Sequence, residues 1–255
     1  MRLLLKQETN LFWIALSFFT RLPVPKNLEF SQCNLNKASR YFSLVGWLVG
    51  ISCALIFYLA AQIVSIPVAV ILSMGFSFLL TGGFHEDGLA DTADGLGGGW
   101  TQDQKLKIMK DSRLGSYGAL ALWFALSLKF VLLSELGYTA VYALIIAHPL
   151  SRVMSTIIIA GLPYVSEESQ SKIKPLAEKM TLSDLAIIFV IGCLPLIGII
   201  KEALIVLAAV LLVTLLFSWY LKKQIRGFTG DALGATQQLT ELTIYLALIA
   251  TGALQ

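Results

Sequence analysis

Charge is scarce in this chain. Only 14% of its 255 residues are Asp, Glu, Lys or Arg, against roughly 25% in soluble domains. A soluble all-helical protein of this length needs a polar shell, and too few charges are present to build one. No long basic run exists, which excludes a surface that tracks nucleic acid, and the net charge is a modest +3. Cysteine offers no framework either. Cys33, Cys53 and Cys193 are scattered without a CxxC pair, and read as small apolar fillers. Internal repeats and low-complexity linkers are lacking, so residues 1–255 read as a single membrane domain. The apolar stretch Leu11–Phe19 follows Arg2 and Lys6, but Thr20-Arg21-Leu22-Pro23 is no small-residue cleavage site. This segment is expected to be retained.

What fills the space is apolar. Hydrophobic residues make up 56% of the chain, and the mean hydropathy is +0.76. Seven segments have the length to span or nearly span a bilayer: 41–64, 66–82, 116–135, 137–160, 184–200, 203–220 and 232–254. Segment 11–20 is shorter and is expected to lie at the interface or re-enter, ended by Pro23 and Pro25. The fold class is therefore all-α, a polytopic helical bundle in a lipid bilayer. The residues leave room for a homo-oligomer without specifying one. Hydrophilic stretches remain at 21–40, 83–115, 162–183 and 221–231. Together with the first ten residues they hold 16 of the 19 Lys and Arg. By the positive-inside rule that bias puts all of them on the cytoplasmic face.

The stretch Phe84-His85-Glu86-Asp87-Gly88-Leu89-Ala90-Asp91-Thr92-Ala93-Asp94-Gly95 follows a span directly. Asp87, Asp91 and Asp94 are spaced i, i+4, i+7, which on a helix makes one carboxylate stripe. Like charges so placed repel unless a cation neutralises them, and hard oxygen ligands suit Mg²⁺ or Mn²⁺. The bland alternative is a solvated acidic loop. Carboxylates at membrane depth are costly and usually functional, which favours the metal reading. His85 suits a ligand or substrate contact; Glu86 falls on another helical face.

Other polar groups recur along the chain. Lys110 and Arg113 precede a span, with Gly115 and Gly118 leaving a helix start open to an anion; on composition alone an ordinary basic anchor is the better explanation. His148 and Arg152 lie i, i+4 inside a span. Arg152 is expected to face the bundle interior, paired with a carboxylate or an anionic substrate; a purely structural ion pair with Glu241 is the competing reading. Arg226, Thr229 and Asp231 open the last span and offer a second metal-ligand helix, or simply a capped helix entry. Arg21 could meet a phosphate or a lipid headgroup.

In this order the pieces closely resemble the cobalamin (cobamide) synthase family, the adenosylcobinamide-GDP ribazoletransferases. The resemblance rests on Thr20–Pro23, Gly46 and Gly50, His85–Gly95, Lys110–Gly118 and Gly227–Ala235, and covers nearly the whole chain. Ser43 stands where many relatives are expected to carry proline. The resemblance implies an Mg²⁺-dependent transferase. It would join a corrinoid nucleotide donor, adenosylcobinamide-GDP, to α-ribazole or its 5′-phosphate and release GMP. Carried onto this chain, Asp87, Asp91 and Asp94, with Asp231, would hold Mg²⁺. Lys110, Arg113, Arg152, Arg21, Arg226 and Thr229 would contact substrate, and one carboxylate or His85 would take the proton of the attacking hydroxyl. A CDP-alcohol phosphatidyltransferase also carries an Asp-Gly-x-x-Ala run, but follows the Ala with Arg, where this chain has Asp91. An ion or solute transporter would place its polar residues at the midplane, often between repeats.

Overall fold

The apolar segments fold as helices because a bilayer leaves backbone N–H and C=O groups no partner but each other. The computed structural model describes residues 2–165 and 180–253. In chain order the helices are α1 (Arg2–Phe19), α2 (Gln32–Ala38), α3 (Phe42–Ala60), α4 (Ile66–Thr81), α5 (Phe84–Gly98), α6 (Gln102–Met109), α7 (Ser116–Leu136), α8 (Ala140–Gly161), α9 (Leu182–Cys193), α10 (Ala203–Ile225) and α11 (Gly230–Thr251). Among the described residues the only β-type contact is one bridge between Tyr164 and Phe228. The fold is all-α. The connection expected at 162–183, with Lys172, Lys174 and Lys179, falls mostly outside the described residues.

All seven expected segments are helical, but they are not equally apolar. Length and composition alone pick out Gln32–Ala60, Ser116–Gly161, Leu182–Ile199 and Ala203–Ile225, and a fifth if α4 and α5 count as one broken span. The 46-residue run Ser116–Gly161 would be about 70 Å long as one helix, far more than a bilayer needs. It breaks at Gly137 (φ 57°) into α7 and α8. The last helix, α11, is not picked out, because its first half is polar. α1 also departs from expectation. It runs 18 residues from Arg2 rather than the ten of segment 11–20. Its polar start is tied down: Glu8 accepts from Arg40 (3.2 Å) and from the Tyr41 hydroxyl (2.7 Å).

α8 is the central helix, buried almost continuously from Ala143 to Thr156. α3 packs on one side, antiparallel to it: the Ser43 hydroxyl donates to the Pro149 carbonyl (2.9 Å), and at the other end Tyr138 reaches the Ala61 carbonyl (3.3 Å). Ser43, standing where a proline was expected, thus binds the chain beside the helix's own proline. α11 packs on the other side, where Ser155 donates to the Leu233 carbonyl (3.0 Å). α9 and α10 lie outermost and expose Val190, Leu204, Leu212 and Leu215, the surface a helix turns to lipid.

Candidate active site

The acidic helix is set by a bend. Gly82 (φ 73°) and Gly83 (φ 70°) both adopt the left-handed conformation, which residues with a Cβ rarely enter, and α5 leaves α4 at 87°. α4 is the apolar member of the pair; α5, with five acidic or imidazole side chains, turns off across the end of the bundle. Arg21 lies over this bend. Its backbone N–H donates to the Leu80 carbonyl (2.8 Å), and its guanidinium sits where a Gly82 Cβ would be, 2.4 Å from Nε.

Along α5 the three aspartates meet three environments. Asp87 is exposed, Asp91 half-buried and Asp94 buried. Asp94 accepts the N–H groups of Gly115 (2.7 Å) and Gly118 (2.9 Å), and so caps the start of α7. The two glycines are expected to leave this helix start open to a ligand; here a carboxylate of the chain itself fills it, and a Cβ on either would come within 2.4 Å of an Asp94 oxygen.

α11 brings the fourth carboxylate. Gly88 packs on the Asp231 backbone and Gly234, so the two helices cross closely. Burial, then repulsion from Asp87, Asp231 and Asp94, pushes the Asp91 carboxyl up to about 7. The cluster is thus close enough for mutual repulsion. Among the described residues, however, no three His, Cys, Asp or Glu side chains converge as a ready coordination cage. Mg²⁺ asks for less. It commonly takes one or two carboxylates and fills its octahedron with water and substrate phosphate. The donor set of Asp87, Asp91 and Asp231 fits that habit; Asp94 accepts one N–H of α7 on each oxygen and keeps a further lone pair on each.

The remaining expected residues separate into exposed and engaged groups. Lys110 caps the end of α6 and is exposed. Arg113 is 86% exposed and forms a forked pair with Asp111 (2.6 Å), which pulls the Asp111 carboxyl down to about 2. Arg226 is exposed at the left-handed C-cap of α10 (φ 61°). Thr229 is the N-cap of α11, accepting from the Ala232 N–H (3.1 Å).

His85 is not on the carboxylate face. It is buried, stacked on Phe19 (centroids 5.6 Å, 8° between planes), and burial with Arg152 nearby holds its imidazole well below the ordinary value. It leads into a buried polar chain that the spacing of α5 did not reveal. Glu86 accepts from Gln238 (3.0 Å), Gln238 donates to Gln237 (3.1 Å), and Gln237 donates to Glu241 (2.7 Å). Glu241 also accepts from Tyr245 (2.8 Å) and pairs with Lys129 at 2.5 Å. Glu241, the competing partner for Arg152, is therefore taken by Lys129. Gln237, Glu241 and Tyr245 stand at i, i+4, i+8 in an apolar helix, a pattern that would have found this ladder.

Fold and site together define a polytopic membrane protein. An acidic face and a row of helix starts crowd one end of its bundle. Residues 11–249 match the model of the cobalamin-5-phosphate synthase family, and the chain belongs to that family. It is 51% identical to the adenosylcobinamide-GDP ribazoletransferase of Shewanella piezotolerans, over 97% of this chain and 98% of that one. It is 52% identical to that of Shewanella pealeana, over 97% of each, and 49% identical to that of Vibrio parahaemolyticus, over 96% of this chain and 94% of that one. No solved structure matches the chain.

Proposed function

We propose that the chain transfers a corrinoid phosphoryl group from adenosylcobinamide-GDP to α-ribazole or α-ribazole 5′-phosphate, releasing GMP, in the assembly of cobalamin. The carrying observation is the crossing of α5 and α11. It sets Asp87, Asp91 and Asp231 against one another at one end of the bundle, in a chain that matches the named transferases over almost its full length.

Asp87, Asp91 and Asp231 are the residues that would hold Mg²⁺, which when bound supplies charge neutralisation on the phosphoanhydride. The chain's own groups do the rest. The acceptor's ribose hydroxyl oxygen bonds to the phosphorus nearer the corrinoid, and the bond from that phosphorus to GMP breaks. The hydroxyl proton passes to one carboxylate of this cluster or to His85. Asp94 holds the start of α7, and with it Arg113 and Lys110, beside the site. The site as read draws on one chain only. The distribution of Lys and Arg supports a bacterial cytoplasmic membrane location with these motifs facing the cytoplasm.

The test is to incubate the purified, reconstituted protein with adenosylcobinamide-GDP, α-ribazole or its phosphate, and Mg²⁺, following GMP and the joined corrinoid by mass spectrometry. Both products should appear with Mg²⁺ and vanish with EDTA. Product formation undiminished in EDTA would overturn the metal reading; no product from either acceptor would overturn the activity.

A further inference from the structure

A second site lies beside the acidic cluster, on the opposite side of the start of α5. It is a cavity of about 60 Å³ enclosed by α1, α3, α5, α8 and α11. Its walls are the rings of Phe18, Phe19, Phe42 and Phe84, and its polar lining comes from His85, Arg152, Ser155 and Gln237. Phe18 and Phe84 are each 36% exposed and meet edge to face at 5.2 Å, which places them at the mouth.

Arg152 is 2% exposed, yet only one of its nitrogens has a partner: Nη1 donates to the His148 carbonyl (2.7 Å). Nε and Nη2 are fully buried and make no hydrogen bond. Phe19 lies against the guanidinium, 5.8 Å from it, and holds one face. Among the described residues no carboxylate pairs with Arg152, because Glu241 is held by Lys129, Gln237 and Tyr245. A buried guanidinium with two idle donors carries a large desolvation penalty unless an anion completes it. The two donors that remain sit side by side in the fork that matches two phosphate oxygens.

Resting on the function proposed above, we propose that this cavity is the acceptor's phosphate pocket: Arg152 Nε and Nη2 grip a phosphate monoester, and the base stays at the aromatic mouth. Among the described residues no carboxylate lines the cavity, so this phosphate is held without metal, apart from the pyrophosphate at the acidic cluster. The cavity is of a size for one phosphate group and not for a benzimidazole ring. Arg152 is then the residue that distinguishes phosphorylated from unphosphorylated acceptor.

The experiment has two readouts on protein in phosphatidylcholine nanodiscs. The first is calorimetric binding of α-ribazole 5′-phosphate and of α-ribazole in EDTA, where turnover is silent. The wild type should bind the phosphate ester about 10- to 100-fold more tightly, the scale of a charged hydrogen-bond pair, and inorganic phosphate should compete. Arg152→Gln should erase that preference. The second is the ratio of kcat/KM for the two acceptors, which should fall by the same factor in Arg152→Gln. Arg152→Lys, which keeps the charge but not the fork, tests the point if the glutamine variant does not fold, and should lose part of the preference. Equal affinity of the wild type for both acceptors, or an equal loss for both in the variants, overturns the proposal. So does a phosphate preference that disappears in EDTA. Displacement of the ester by phosphatidic acid in the disc, with no preference between acceptors in its absence, would assign the pocket to lipid and overturn it too. Turnover of neither acceptor by the wild type would instead sink the function on which the pocket rests.

Discussion

The carboxylate of Asp94 accepts the backbone N–H of Gly118 at 2.9 Å, across 24 residues of chain. With the Gly115 N–H at 2.7 Å, this bond separates Asp94 from the two aspartates that share its helical stripe. Asp94 is a tie between α5 and α7, whereas Asp87 is exposed and Asp91 half-buried. Two variants should therefore fail in different ways. Asp94→Ala removes two charge-assisted bonds at a helix start and should lower stability by about 1–3 kcal/mol, seen as a lower melting temperature in detergent. Asp87→Ala, at an exposed position, should leave the melting temperature within the range of ordinary surface changes and cut turnover by roughly two to three orders of magnitude. Equal melting losses in both would contradict the division of roles.

Asp91 carries the strain of the cluster. Its carboxyl is raised from the ordinary 3.8 to about 7 by burial and by its acidic neighbours. A raised carboxylate means that the native state binds more protons between those two values, so its share of stability is present below pH 4 and lost as pH climbs to 7. At pH 8 without metal, ionised Asp91 works against the fold. Asp91→Asn should then melt higher than the wild type at pH 8, by on the order of 1 kcal/mol after allowing for solvent screening at this half-exposed site. The advantage should shrink as pH falls and vanish only below about pH 4, where both states carry a protonated Asp91, and turnover should be lost throughout. A variant that melts lower than the wild type at pH 8 would refute the repulsion argument.

Lys129 and Glu241 form the deepest ion pair, with side chains 3% and 1% exposed. Removing one partner strands the other charge. Lys129→Met and Glu241→Gln should each cost about 3–5 kcal/mol, whereas the double variant should be less damaged than either single one. A thermal double-mutant cycle in detergent measures the coupling; additive losses would mean that the pair contributes nothing beyond its parts.

Much of this was legible from residue order. Low charge and long apolar runs mark the helices, and the paired glycines at 82 and 83 mark a break before the acidic stripe. The direction of that break was not legible, since two left-handed residues fix a turn but not what lies beneath it. Nor was the length of α1. Lys6 and Glu8 argue against an apolar segment, and only the Arg40 and Tyr41 side chains, some thirty residues on, make the polar start of α1 stable. The partner of Glu241 shows the same limit. Arg152 and Lys129 both stand well inside apolar segments, and either could reach a carboxylate in α11. The choice follows from how α7 and α8 rotate about α11, which no spacing within a single helix contains. The orientation of His85 shows the same limit. It adjoins the aspartates in sequence but points to the opposite side of α5, onto Phe19.

The packing of α3 on α8 depends on a missing side chain. A Cβ at Gly46 would stand 2.6 Å from the His148 carbonyl oxygen and 2.7 Å from the Pro149 Cα, both backbone atoms of the central helix. Backbone cannot step aside as a flexible side chain does, so Gly46→Ala must push α3 and α8 apart. The gain in helix propensity from Gly to Ala, about 1 kcal/mol, works the other way. The steric term should prevail, because overpacking a close helix contact costs about 1–3 kcal/mol and here also lengthens the 2.9 Å bond from Ser43 to Pro149. His148 and Arg152 ride on the same stretch of α8, so the shift should propagate to the phenylalanine-lined cavity. Gly46→Ala should therefore melt lower than the wild type, and its KM for the acceptor should rise more than its KM for the corrinoid donor. Gly75→Ala, at a helical glycine whose added Cβ would meet nothing within 4 Å, is the control: it keeps the propensity gain without the clash, so it should melt no lower than the wild type and leave both KM values unchanged. Matching behaviour of the two alanine variants would show that the contact at Gly46 is not what sets the helix separation.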